Sequence, residues 1–141
     1  MNTYIFDQSN IMWADLEGFD HLQYSILAID KENNIADILF KFSANEKIIL
    51  HRHKAYNNTF VLQGEHRIYT SGGMLKEVRV IGSMTCSAPD TEPHREGAGN
   101  QDAIVFFSIR GEGVLYEFLD DNHNIINTMS FQDLVNLKNV H

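Results

Sequence analysis

The feature that most constrains the fold is a series of short apolar or alternating runs, each closed by a turn signal. From residue 24 onward such runs recur, and Asn-, Asp- and Gly-rich segments separate them, as at residues 30–34, 71–73 and 120–124. Short strands at regular spacing with turns of this kind are typical of β-sandwiches and β-barrels. The sequence therefore predicts an all-β chain of roughly ten strands.

The predicted strands are placed by their apolar content and by the turns that bound them. They cover residues 24–29, 35–42, 47–53, 59–63, 66–70, 75–81, 83–87, 103–109, 114–119 and 125–129. The first 22 residues are predicted to be irregular or briefly helical, with one short turn that packs on the body through Trp13, Leu16, Phe19 and Leu22. Residues 88–102 hold both prolines and two glycines, so this segment is predicted to be a loop.

A short helix is predicted at the C-terminal end. Ser130 followed by Asp133 has the spacing of a helix N-cap with an acidic third residue. The apolar face of this helix would consist of Phe131, Leu134, Val135 and Leu137. At 141 residues, the chain is predicted to form one domain, residues 1–141, with a barrel core at about residues 35–118.

Composition excludes several classes of function. The formal net charge is −8, and lysines and arginines are scattered singly, which argues against nucleic-acid binding. No apolar stretch approaches the ~20 residues needed to cross a bilayer, and the first residues do not resemble a signal peptide. The single cysteine, Cys86, forms no internal disulfide; we expect a buried, inert residue rather than a nucleophile, and a reduced, cytoplasmic protein.

Two histidines in one predicted strand are the candidate metal ligands. His51 and His53 are two residues apart, so their side chains should point to the same face, with Cα atoms roughly 6–7 Å apart. Imidazole is the commonest metal ligand in proteins, and His94 is the best candidate for a third ligand. His66 is its competitor, ranked lower because of its spacing. The alternative is a surface strand that carries two histidines by chance.

At this point the chain resembles the cupin superfamily. The usual first motif, Gly-x5-His-x-His-x3-4-Glu-x6-Gly, is matched by the spacing of His51, His53, Asn57 and Gly64, although the leading Gly is replaced. The usual second motif, Gly-x5-Pro-x-Gly-x2-His-x3-Asn, is similar to residues 82–98, where His94 takes the histidine position and one extra residue precedes the proline. The resemblance implies a double-stranded β-helix, the jelly-roll barrel, and commonly a homodimer.

The main departure from the cupin motif lies at Asn57, where the family usually has a glutamate ligand. Without that carboxylate, the site resembles the three-histidine diketone-cleaving and 2,4′-dihydroxyacetophenone-type dioxygenases. The resemblance implies one divalent metal held by His51, His53 and His94, with Fe(II) favoured, and cleavage of a C–C bond of a small diketone or hydroxyketone by O₂. Zn, Ni or Mn stay open, because imidazole suits several metals.

Two other functions remain open at the level of sequence. One is a non-oxidative Lewis-acid enzyme, an isomerase, lyase or hydrolase; the other is a cupin module that senses a metal or small molecule without turnover. The tentative substrate pocket consists of Asn57, Thr59 and Val61, which share one strand face, and Tyr69 on the following strand. The alternative for each of these four is a satisfied core group or an exposed side chain.

Overall fold

The computed structural model describes residues 5–90 and 92–140. Its elements in chain order are β1 (Ala14–Asp15), β2 (Leu22–Asp30), β3 (Ile35–Phe42), β4 (His51–His53), β5 (Tyr56–Gln63), β6 (His66–Thr70), β7 (Leu75–Arg79), β8 (Met84–Ser87), β9 (His94–Ala98), β10 (Ala103–Arg110), β11 (Val114–Leu119), β12 (Ile125–Ser130) and α1 (Phe131–Val140). The all-β prediction with a short C-terminal helix is confirmed.

The strands form two six-stranded sheets. Sheet A has the order β1-β2-β3-β10-β5-β8, and sheet B has the order β12-β11-β4-β9-β6-β7. The pairs within both sheets are antiparallel. The inner faces of the two sheets share one hydrophobic cluster, in which Phe40 and Phe107 of sheet A meet Leu115 and Phe118 of sheet B. This arrangement is the predicted jelly roll.

The predicted strands agree closely with the observed ones where apolar residues dominate. Residues 35–42, 66–70 and 114–119 have the predicted bounds. The strand predicted for residues 47–53 is shorter, because only His51–His53 pairs regularly, while Lys47 forms an isolated bridge with Gly97. A side chain at Gly97 would collide with the carbonyl oxygen of Glu46, so a glycine permits this close approach.

The loop predicted for residues 88–102 is wrong at its centre, where residues 94–98 form β9. The sequence His-Arg-Glu-Gly-Ala has little of the β-branched or aromatic content that marks a strand. It is a strand because its two neighbours in sheet B, β4 and β6, pair with it from both sides. Tertiary pairing therefore overrides local propensity here.

The two ends of the described chain pack on the barrel. No helix occurs among described residues 5–22; instead Phe19 donates a backbone hydrogen bond to the Leu16 carbonyl, and both side chains pack against the core. At the other end, Ser130 and Asp133 cap α1 reciprocally, with bonds of 3.1 Å and 2.8 Å. No helix in the described residues is long and apolar enough to span a membrane.

Cys86 corrects another prediction. It lies on β8, at the edge of sheet A, and its side chain is exposed rather than buried. The parity of β8 explains this, because Thr85 and Ser87 on either side are the more buried residues. The run that holds Cys86 is strand-like, as predicted, but it is an edge strand with one face open to water.

Candidate metal centre

β4 directs two histidines into the barrel. His51 and His53 are 2% and 6% exposed, while Arg52 between them forms an ion pair with Glu117. The two imidazole rings are nearly parallel, with their centroids 5.2 Å apart. This is the geometry that the His-x-His spacing predicts, and the surface-strand alternative is excluded by burial.

β9 lies beside β4 and repeats the same spacing with a different second residue. His94 is directly opposite His51 in the sheet register, and Glu96 follows it on the same face. The His94 ring centroid is 4.6 Å from that of His51 and 4.6 Å from that of His53. One ligand atom from each of His51, His53, His94 and Glu96 lies within 4.8 Å of the others.

One oxygen of Glu96 is the centre of this group. Its Oε2 is 2.6 Å from Nε2 of His51, 3.2 Å from Nε2 of His53 and 3.5 Å from Nε2 of His94. The carboxylate is almost fully buried, with a side-chain exposure of 4%. A buried charge of this kind persists only when it is paired and hydrogen-bonded. Three imidazoles that converge on one buried oxygen provide that pairing.

The histidines keep Glu96 ionised. Burial by itself raises the pKa of Glu96, but hydrogen bonds from His51, His53, His66 and His94 outweigh it and hold the pKa well below its ordinary value. The same carboxylate acts on its neighbours in turn. Burial lowers the pKa of His53 more than Glu96 raises it, whereas at His94 the effect of burial is outweighed by Glu96 and Asp90, which raise the pKa.

The hydrogen-bond partners of His51 indicate whether the cluster of His51, His53, His94 and Glu96 can hold a cation. Its Nδ1 is 2.7 Å from the carbonyl oxygen of Ile49, which can only accept a hydrogen bond, and its Nε2 is 2.6 Å from Glu96 Oε2. Both ring nitrogens therefore face acceptors, but a neutral imidazole has only one N–H. A proton on one of these two atoms, or a cation bound by both, must satisfy the contact between Nε2 and Oε2. An Nδ1–H bond to a carbonyl that leaves Nε2 free is the usual outer-shell arrangement of a metal-binding histidine.

Asp90 supports two of the histidines from outside the group. Its Oδ1 accepts a hydrogen bond from the backbone N–H of His53 at 3.1 Å, and its Oδ2 lies 3.7 Å from Nδ1 of His94. A carboxylate behind a histidine fixes the ring orientation and raises its basicity as a ligand. The cluster therefore has an outer shell of the kind that metal sites use.

The sequence analysis missed Glu96, and its expectation of a site without a carboxylate is wrong. The first cupin motif takes its carboxylate from the position of Asn57, on β5. Here the carboxylate comes from β9, two residues after His94. The signal was present in the sequence, since His94-x-Glu96 has the same parity as His51-x-His53. The sequence pattern does not reveal this pair, because the segment is predicted to be a loop, and in a loop side chains two residues apart need not point to the same face.

Asn57 is buried beside the cluster, but its amide is already engaged. Its Oδ1 accepts a hydrogen bond from the Tyr116 hydroxyl at 2.8 Å, and its Nδ2 donates to the Ala55 carbonyl at 3.0 Å. The Tyr116 ring lies edge-on to His53, with centroids 5.1 Å apart. Burial and then the charge of Glu96 raise the pKa of Tyr116 well above its ordinary value, so the phenol stays protonated. Asn57 thus orients Tyr116 against His53.

The other predicted pocket residues are buried but lie elsewhere. Thr59 accepts a weak hydrogen bond from Arg79 at 3.5 Å, and Val61 belongs to the core cluster. Tyr69 lies under the ammonium group of Lys47, 4.3 Å from its ring centroid. None of these residues lines the cavity described next, and their role in substrate binding stays a prediction.

An apolar cavity reaches the cluster at His51 and Glu96. Six aromatic residues contribute to its wall: Phe19, Phe40, Phe42, Phe107, Tyr116 and Phe118. Among the residues that line it, only His51 and Glu96 are acidic or basic. The space open to the centres of water molecules is about 30 Å³, which holds roughly two waters. The floor of this cavity therefore carries two ionisable side chains, and its walls are mainly apolar.

Comparisons with known proteins agree with this fold. No protein-family profile and no curated protein sequence matches the chain. Among solved structures, an RmlC-like cupin protein from Ralstonia eutropha JMP134 is similar with a TM-score of 0.74, at 21% identity over 100% of this chain and 90% of that chain. An acetylacetone dioxygenase from Acinetobacter johnsonii has a TM-score of 0.70 at 14% identity, over 96% of this chain and 90% of that chain.

A third similar structure is the polyketide cyclase RemF from Streptomyces resistomycificus. It has a TM-score of 0.56 at 18% identity, over 77% of this chain and 79% of that chain. At these identities the likeness shows the fold, which is the cupin jelly roll. The chain is therefore a cupin-fold protein whose barrel holds a His51, His53, His94 and Glu96 cluster that fits a divalent metal.

Proposed function

We propose that this chain is a mononuclear metal enzyme that acts on a small, uncharged carbonyl compound. Its reaction would be cleavage of a C–C bond of a diketone or hydroxyketone by O₂, with Fe(II) as the metal. The observation that carries this proposal is the convergence of three histidine Nε2 atoms on Glu96 Oε2 at the floor of an otherwise uncharged cavity.

The ligand set follows from the donor atoms. His51, His53 and His94 would bind through Nε2, and Glu96 would bind through Oε2. When bound, a divalent cation supplies Lewis acidity that stabilises an enolate, and iron adds redox chemistry with O₂. One carboxylate and three neutral imidazoles leave a net positive charge at the site. This charge attracts an anionic oxygen of the substrate but leaves its hydrocarbon part to the protein.

The cavity selects the rest of the substrate. Among the described residues that line it there is no lysine or arginine, so a carboxylate or phosphate on the substrate would enter without a partner, which is costly in an apolar site. Aromatic walls instead favour alkyl or aryl groups. The cavity is smaller than a diketone, so side chains at its wall must move when a substrate enters. Phe19 and Leu16 belong to the loop segment of that wall.

The structural comparisons support this choice, because an acetylacetone dioxygenase is among the similar structures. Acetylacetone is an uncharged diketone. The cavity of the present chain suits such a compound better than it suits a sugar acid or a phosphate.

Glu96 favours a second candidate, a non-oxidative Lewis-acid enzyme. The three-histidine dioxygenase group that the sequence resembles was expected to lack a carboxylate, and here a carboxylate lies within the cluster. A carboxylate beside a bound carbonyl compound would also accept the proton that leaves its α-carbon as the enolate forms, and return it at another atom, as an isomerase requires. The similarity to a polyketide cyclase is consistent with this alternative.

Elemental analysis and an oxygen electrode separate the two candidates. Protein purified without chelator or affinity tag would be analysed for metals, loaded anaerobically with Fe(II), and mixed with acetylacetone as the probe. Oxygen uptake that matches loss of the diketone supports the dioxygenase. A bound metal without oxygen uptake, even after iron loading, moves the assignment to a Lewis-acid enzyme or a sensor. Protein that binds no metal contradicts the proposal.

A further inference from the structure

His66 lies next to the four candidate ligands but is not one of them. It belongs to β6, the neighbour of β9 on the side opposite β4. Its Nε2 is 2.6 Å from Oε1 of Glu96, the carboxylate oxygen that does not face the other histidines. The residue is fully buried, at 0% exposure. The two oxygens of Glu96 are therefore divided between two sets of partners.

The surroundings of His66 leave its ring one polar partner. Phe42 stacks on the ring with centroids 5.2 Å apart, and Phe107 lies edge-on at 5.8 Å. Its Nδ1 is buried and has no hydrogen-bond partner among the described residues. Because an ionised carboxylate only accepts hydrogen bonds, the proton of a neutral His66 must be on Nε2. The ring is thus a single donor, clamped between aromatic rings and aimed at Oε1.

We propose that His66 is a positioning residue that holds Oε1 of Glu96, so that the carboxylate presents Oε2 alone to His51, His53 and His94. This inference rests on the proposed metal site. A carboxylate that is free on both sides can bind a cation through two oxygens and occupy two coordination positions. With Oε1 engaged by His66, Glu96 occupies one position, and another stays open for the substrate.

The geometry explains why a histidine suits this task. Glu96 is diagonal to His66 across the β6–β9 pair, since His66 is in register with Ala98 and Ile68 is in register with Glu96. Diagonal neighbours are within reach of long or aromatic side chains. A histidine reaches Oε1 with a rigid ring, whereas the stacking of Phe42 and Phe107 prevents the ring from turning away.

Binding of Co²⁺ to the purified protein tests this role, because its visible spectrum reports the coordination number. In H66F the ring shape is kept and the hydrogen bond is lost. We expect the affinity for Co²⁺ to fall about 10- to 100-fold, the usual effect of losing an outer-shell partner, and the visible bands to weaken as the carboxylate binds through both oxygens. In H66Q, which retains a donor, we expect both properties to move back toward wild type.

Phe40→Leu is the matched control. It removes an aromatic ring of the same core cluster, one that packs on Phe107, and lowers the melting temperature, but it leaves the stacking of Phe42 on His66 and the bond to Oε1 in place. If His66 were only a packing residue, F40L and H66F would both change the melting temperature and neither would change the Co²⁺ spectrum. Equal affinity and equal spectra for H66F and wild type overturn the inference.

A second measurement needs no substitution and covers the case in which H66F does not fold. Proton–nitrogen NMR of the Zn²⁺-loaded wild-type protein reports which ring nitrogen of each histidine carries a proton. We expect His66 to keep its proton on Nε2 while His51, His53 and His94 have none there. A His66 without a proton on Nε2 in the loaded protein would make it a ligand and overturn the inference.

The outcomes also separate this inference from the proposed function. Wild-type protein that binds neither Co²⁺ nor Zn²⁺ contradicts the metal site, and the role of His66 fails with it. Wild-type protein that binds both metals, beside an H66F variant that binds Co²⁺ equally well, contradicts the role of His66 alone.

Discussion

The inner faces of the two sheets differ in chemistry although they enclose the same core. Sheet B carries the histidines and Glu96 on three adjacent strands, β4, β9 and β6. The central strands of sheet A, β3 and β10, present Phe40, Phe42 and Phe107 to the same interior. Among the described residues of these two strands, none that faces the core is ionisable. Sheet B therefore supplies the ionisable groups of the site, and sheet A supplies aromatic side chains of the cavity wall.

This difference teaches why the site tolerates buried charge. A carboxylate with 4% exposure costs several kcal/mol to desolvate, and the imidazoles that compensate for it come from the same sheet. The antiparallel register fixes their spacing, since His51 is opposite His94 and the residues two positions on share that face. Among the described residues, sheet A contributes no counter-charge, so changes at those of its residues that do not pack on His66 should leave the metal site intact.

The largest expected effect follows from removing a ligand on sheet B. We expect His51→Ala, His53→Ala or His94→Ala each to abolish binding of a divalent metal, because each removes a donor atom from a group of four. The measurement is metal content after equilibration with Co²⁺ or Fe(II), with circular dichroism to confirm the fold. Full metal retention in H94A would contradict the assignment of His94 as a ligand.

The next largest effect is expected for Glu96→Gln. Its comparison with a variant of Asn57 tests whether the carboxylate on β9 or the amide on β5 binds the metal. Glutamine keeps the shape but loses the charge, so metal affinity should fall by more than the roughly 10- to 100-fold typical of an outer-shell partner. Asn57→Ala is the matched variant, since Asn57 bonds Tyr116 and Ala55 rather than the cluster. We expect N57A to retain its metal, and calorimetric titration compares the two. A larger loss in N57A than in E96Q would reverse the assignment.

A change on sheet A should affect stability without affecting the metal. Phe40 packs edge-on against Phe107, with centroids 5.1 Å apart, and it lines the cavity, but its ring pairs among the described residues are with Phe42 and Phe107 rather than with a histidine. We expect Phe40→Ala to lower the free energy of unfolding by about 3–5 kcal/mol, the usual cost of a large core truncation. Denaturant unfolding measures this cost, and metal affinity should stay at the wild-type value. A loss of metal in folded F40A would break the division between the two sheets.

The sequence predicts the apolar strands of this fold better than the strand that carries polar site residues. The apolar strands, such as β3 and β11, were predicted with their observed bounds because their alternation reports burial directly. The His-x-His pair was interpreted correctly as inward-facing for the same reason. The strand β9 was missed, because the residues that make it functional, His94 and Glu96, also remove its apolar pattern.

Glu96 and His66 show what sequence could not supply. Their contact joins residues on two strands, and it depends on a register that only the assembled sheet defines. His66 was considered only as a rival for the position of His94. In the structure both His66 and His94 contact Glu96, because β9 lies between β4 and β6. Function in this fold therefore depends on strand order, which local patterns do not encode.

A substitution at the start of α1, outside both inner faces of the barrel, shows whether a loss of stability by itself changes metal affinity. The Ser130 hydroxyl accepts the backbone N–H of Asp133 at the start of α1. We expect Ser130→Ala to cost about 1 kcal/mol of stability, the typical value for loss of an N-cap, whereas Ser130→Thr should cost less. Thermal unfolding measures both variants, and metal affinity should not change. An effect on metal affinity here would mean that stability and binding are coupled throughout the barrel.

The smallest expected effect is a pH dependence at the turn between β11 and β12. Backbone and side-chain hydrogen bonds from Asn124 and Asn122 together outweigh the opposing effect of burial and lower the pKa of Asp120. A lowered folded-state pKa contributes stability above the unfolded value of about 3.9, and that contribution is lost as the pH falls through the folded value. We therefore expect the stability difference between wild type and Asp120→Asn to be constant near neutrality and to shrink in acid. A difference that grows in acid would contradict this sign. Because the side chain of Asp120 forms its hydrogen bonds within its own turn, metal binding should be the same in both proteins.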